Sequence, residues 1–66
     1  MDSMASPELK AAHKLMRASI ALFGVVDALG DVGGKEADSQ SAELMGTIKV
    51  LSRWELEYRR AAGHTP

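Results

Sequence analysis

Three basic side chains, Lys10, Lys14 and Arg17, recur at i, i+4 and i+7. On a helix this spacing puts them in one stripe, and a stripe of cations suits a phosphate backbone. Basic charge in the first half of a helix also opposes the helix dipole, so the stripe needs compensation by a partner's acidic groups, a ligand or water. A second candidate is Gly30-Asp31-Val32-Gly33-Gly34-Lys35, which has the outline of a phosphate loop. The working motif needs four residues between its glycines, Ser or Thr after the Lys, and a strand before it. Here the spacing is one residue short, Glu36 follows Lys35 and a helix precedes, so the segment reads as a flexible turn. His13 and His64 are the only histidines and Cys is absent, which leaves no ligand set for a metal, no disulfide and no thiol nucleophile. Asp27 and Glu55 fall in or beside apolar runs, where a close carboxylate pair could do acid–base work. The hairpin derived below sets Asp27 near its loop and Glu55 near its open end. Their expected roles are therefore structural: Glu55 meets a basic group of the first helix, and Asp27 sets register or dimer orientation. Neither an enzyme nor a cofactor is expected from these residues.

The elements that carry these groups follow from length and punctuation. A chain of 66 residues is one domain at most. Its hydrophobic fraction of 45% is too high for a disordered tail. A net charge of -1 gives no global basic field toward nucleic acid or anionic lipid. The chain is too short to enclose an ordinary catalytic pocket of ~300 Å³ or more by itself. Met1 to Ala5 lacks the pattern of a secretory signal. The most apolar stretch, Ala18 to Val26, is bracketed by Arg17 and Asp27 and falls short of the ~20 residues of a membrane span. A cytoplasmic location without a membrane partner is the expectation. Ser6-Pro7-Glu8 reads as a capped helix start, and the next strong breaker is Gly30. The first helix is expected over about 7–29, a loop over 30–34, and a second helix from about 35 to 62. Asp38, Ser39 or Gly34 could cap the second helix, and Gly63 stops it. Residues 1–5 and 63–66 are expected to be flexible. No strand pattern occurs, and a short link between long helices predicts an antiparallel helical hairpin.

A helical wheel at ~100° per residue sorts the faces. The second helix shows one apolar seam, Ala37, Leu44, Thr47, Ile48, Leu51, Trp54, Tyr58 and Ala61, at nearly heptad spacing. The first helix shows two. One is Leu9, Ala12, Met16, Ser19, Ile20, Phe23 and Val26; the other is Ala11, Leu15, Ala18, Leu22, Val25 and Leu29. Together they cover roughly 200° of the wheel, against a little over 100° for an ordinary surface helix. Folding at the loop pairs the first seam with the second helix, with Leu9 opposite Tyr58, Ala12 opposite Trp54, Met16 opposite Leu51, Ser19 opposite Ile48 and Phe23 opposite Leu44. Leu15, Ala18, Leu22, Val25 and Leu29 are then left bare. A lone hairpin of this size lacks a sufficient core. The full expectation is an all-α fold, an antiparallel two-helix hairpin dimerising through that seam into a four-helix bundle. Ala21, Gly24 and Ala28 form a smooth strip on the remaining side, and Met45 and Leu56 add apolar groups to the second helix. These five are the candidates for binding a partner.

Over the whole chain this architecture resembles small all-helical antiactivators and phage-encoded host-takeover proteins, which bind and disable bacterial regulators or motor ATPases. It is also similar in outline to type III secretion co-chaperones. A further resemblance is to the plasmid copy-control hairpin dimers, which bind paired RNA loops through the outer face of their first helices, where Lys10, Lys14 and Arg17 stand here. The first resemblance implies a homodimer that inhibits or regulates a larger bacterial protein, such as a quorum-sensing activator or other transcriptional regulator. The last implies a nucleic-acid-binding bundle. Charge near zero and few aromatics favour the protein partner, because nucleic-acid affinity rests largely on phosphate neutralisation.

Overall fold

The computed structural model describes residues 6–63 and contains two helices, α1 (Pro7–Val32) and α2 (Gly34–Ala61). They lie side by side as an antiparallel hairpin of 48 × 17 × 16 Å. No strand occurs among the described residues. The Cα radius of gyration is 14.8 Å, where a compact domain of this length would have about 11 Å. The molecule is a rod, and a rod two helices wide has little interior.

Local chemistry accounts for most of the helix ends. Ser6 caps α1: its Oγ accepts a hydrogen bond of 3.1 Å from the Leu9 N–H and donates one of 3.2 Å to Glu8 Oε1. Pro7 occupies the first turn, where no N–H is missed. At the far end α1 does not stop at Gly30. It continues to Val32, and Gly33 makes the turn with φ 74° and ψ 174°, its N–H bonded to the Leu29 carbonyl at 3.0 Å. That backbone region is open only to glycine. Gly34 follows at φ 93° and already begins α2. The connection is thus one residue, not the five of the expected loop. Asp38 and Ser39 lie inside α2 and cap nothing, since Gly33 serves as N-cap without a side chain. At its end, Gly63 at φ 86° donates to the Arg60 carbonyl. The flexibility expected for residues 1–5 and 64–66 falls outside the described residues.

The buried line runs between the two predicted seams of α1. Leu9, Ala12 and Ser19 are buried, and Leu15, Leu22, Val26 and Leu29 are half-buried. From Ala12 onward these steps alternate three and four. On α2, Ala37 and Ile48 are buried and Ser41, Leu44, Leu51 and Glu55 are half-buried on the same alternation, with Val50 and Arg59 half-buried beside it. Two helices in long shallow contact follow a 3.5-residue repeat, whereas each predicted seam drifted with the 3.6-residue wheel. The expected pairing is corrected accordingly. Met16, Phe23, Trp54 and Tyr58 stand exposed rather than between the helices. Leu15, Leu22 and Leu29 are partly covered by α2 within the chain. Of the row expected to be bare, only Ala18 and Val25 are exposed.

Candidate functional site

With the heptad line buried, the hairpin presents two flat faces and two outer edges. One face is marked by an open groove of about 820 Å³ near the open end, lined by Ala11, Lys14, Leu15, Trp54, Glu57, Tyr58 and Ala61. Heptad steps from Ala11 carry this groove face along α1 through Ala18, Val25 and Val32. On α2 it continues from Trp54 back to Val50 and Thr47. Val25, Trp54 and Tyr58 are 45%, 44% and 43% exposed. Thr47, expected in the seam, is exposed and bonds its hydroxyl to the Glu43 carbonyl at 3.2 Å.

The opposite face is marked by Arg59, whose Nη2 reaches across from α2 to Met16 Sδ at 3.9 Å. Met16, Ile20 and Phe23 share that side of α1, at three- and four-residue steps. Met45, Ser52 and Leu56 share that side of α2. All are exposed. The same Arg59 donates from Nε to Glu55 Oε2 at 3.0 Å. Glu55 therefore pairs along its own helix, in the favourable order with the acid N-terminal, and not with a basic group of α1 as expected. This is the only ion pair among the described residues. Asp27 lies exposed near the turn, on the methionine side, far from Glu55 along the hairpin.

The predicted binding residues are divided among these surfaces. Ala18 and Val25, with the bare parts of Leu15, Leu22 and Leu29, lie on the groove face. Val50, Trp54 and Tyr58 of α2 lie beside them, and the wheel had placed the last two in the core. Ala21, Gly24 and Ala28 lie on the outer edge of α1, away from α2, and a Cβ on Gly24 would meet nothing within 4 Å. Met45 and Leu56 lie on the methionine face, so the structure does not join them to that strip. Lys10, Lys14 and Arg17 are exposed along the outer edge of α1. Arg53 and Arg60 stand on the opposite outer edge, along α2. The cations of the open end thus do not merge into one patch. No group of three or more His, Cys, Asp or Glu among the described residues could hold a metal, and no helix there is long and apolar enough to cross a membrane.

Compared with known proteins, the chain matches no family model, no curated protein and no solved structure.

Proposed function

We propose that this chain is a non-enzymatic interaction protein that pairs with a second copy into a four-helix bundle and regulates or inhibits a larger protein by occupying its surface. One observation carries the reading: the hairpin buries very little and leaves much apolar surface bare. Among the described residues no large side chain is fully buried, yet Val25, Trp54 and Tyr58 stand nearly half exposed on one face. A chain this small does not hold itself together on such a core. With dimensions of 48 × 17 Å, that face has a footprint of roughly 800 Å², about what each partner contributes to a standard interface. The groove face is the dimer surface in this reading, with Ala18 and Val25 of α1 beside Trp54 and Tyr58 of α2. The resemblance to antiactivators and host-takeover proteins supports the regulatory role. The division of cations between two outer edges, with a net charge of -1, favours a protein over a nucleic acid as the target.

Val25→Glu tests the dimer. In a monomer this exposed position tolerates the change within about 0.5 kcal/mol. In the dimer it buries a charge without a partner and drives the copies apart. Sedimentation at micromolar concentration should give twice the chain mass of 7.1 kDa for the parent and a lighter, less helical species for the variant. A parent that sediments as a cooperatively melting monomer overturns the reading. The regulatory role is tested by affinity capture from the source cells with the parent, using Val25→Glu as control. A target that the parent retains and the variant loses should change activity on adding the purified parent. An unchanged activity overturns the inhibitory or regulatory role.

A further inference from the structure

We infer that the methionine face is a second docking surface, and that it receives an amphipathic helix of a partner protein with acidic residues at one end. The inference rests on the dimer reading above, because pairing through the groove face leaves the opposite face bare. On it Met16, Ile20, Phe23, Met45 and Leu56 are 38%, 63%, 47%, 38% and 49% exposed. They flank the furrow between α1 and α2, and contiguous apolar surface of this kind marks an interaction site. A furrow between two antiparallel helices accepts a third, whose apolar side chains descend into it every three or four residues. Methionines at its walls adapt to the shape of what enters.

The charges beside the furrow choose the occupant. In the open half Lys49 stands beside this face, and the outer edges that border it carry Arg17 on α1 and Arg53 and Arg60 on α2. The carboxylates of that half are engaged or turned away. Glu8 accepts from the Ser6 hydroxyl, Glu55 holds Arg59, and Glu57 lines the groove on the other face. Toward the turn the sign reverses, with Asp27, Asp31 and Asp38 outnumbering Lys35, all exposed on or beside the same side. An anionic membrane surface would attract one half of this face and repel the other. A helix seated in the furrow, with its acids at the end bordered by Arg17, Arg53 and Arg60, complements both halves, and the charge gradient fixes its direction. The partner class is therefore an amphipathic helical segment, polarised in charge, and not a lipid surface.

The probe is a designed helical peptide of about three heptads, apolar along one stripe, with Glu flanking the stripe in one half and Lys in the other. Its control carries Lys in both halves. Titrated into the full chain at low salt, the polarised peptide should bind, and the control should bind at least about tenfold more weakly. Arg53→Glu with Arg60→Glu should erase or reverse that preference. Ile20→Glu should remove binding while leaving the sedimenting mass at its parent value. Equal binding of the two peptides, or binding of neither, overturns the inference. So does retention of the chain by phosphatidylglycerol vesicles that compete with the peptide. If Ile20→Glu halves the mass and Val25→Glu does not, the methionine face is the dimer surface; the docking inference then falls while the dimer survives. If the parent is already a monomer, the dimer reading fails, and peptide binding still decides the docking surface separately.

Discussion

Ser19 is the one polar side chain at the centre of the buried line, 8% exposed, and its Oγ has no hydrogen-bond partner. Leaving a buried hydroxyl unpaired costs about 1–3 kcal/mol relative to a paired one. Ser is also a poorer helix former than Ala by a few tenths of a kcal/mol. Ser19→Ala removes the unpaired oxygen and leaves a gap too small for water. The variant should be more stable by about 1 kcal/mol, read as a melting temperature several degrees higher. A lower melting temperature would mean that the hydroxyl finds a partner in the assembled protein. The neighbouring positions show why a small side chain belongs here at all. Ile48 stands at about the same height on α2 and is itself buried, so a large side chain at 19 would push the helices apart.

Glycines set the length of each helix, and they are not equivalent. Gly30 lies within α1, and a Cβ there would meet nothing within 4 Å. Gly33 makes the turn at φ 74°. Gly30→Ala should therefore stabilise the hairpin by about 1 kcal/mol, and Gly33→Ala should destabilise it by about 1–3 kcal/mol. Thermal melts followed by circular dichroism separate the two. Loss of stability in Gly30→Ala would restore Gly30 as the stop. This contrast also shows where legibility in the sequence ended. The first cap was readable because Ser6-Pro7-Glu8 acts through contacts within three residues. The turn was not, because four glycines crowd residues 24–34 and only the closing of the hairpin selects among them. The hairpin itself was legible from two long breaker-free runs. The faces were legible only in part: the wheel found too much apolar surface on α1, but the 3.5-residue line of contact with α2 takes positions from both seams. That line moved Trp54 and Tyr58 from the core to a face, and it drew Leu15, Leu22 and Leu29 partly inward.

At the scale of the whole molecule, charge is polarised along a rod. The turn end carries Asp27, Asp31, Glu36, Asp38 and Glu43 against Lys35 alone. The open end carries Lys10, Lys14, Arg17, Arg53, Arg59 and Arg60 against Glu8, Glu55 and Glu57. Arg59 and Arg60 also sit in the last turn of α2 and Glu36 in its first, which suits the helix dipole. Two such rods can pair through their groove faces with turns together or with turns at opposite ends. The first arrangement stacks the acidic ends on each other. The second sets each acidic end beside a basic one, while both arrangements stack antiparallel helices across the interface, so the end charges decide between them. The head-to-tail bundle is therefore the expected one. With no cysteine in the chain, Lys35→Cys gives a single spin-label site next to the turn, exposed in the hairpin. Helices of 26 and 28 residues are about 40 Å long. Double electron–electron resonance should then report labels about 40 Å apart for the head-to-tail dimer. Turn-to-turn pairing would bring them to about half that or less. A short distance would show that apolar fit outweighs the end charges, and in that case raising the salt should tighten the dimer by screening the stacked acids. The head-to-tail bundle predicts the opposite response, a dimer that loosens as salt rises, because the complementary end charges lie near the surface where ions reach them.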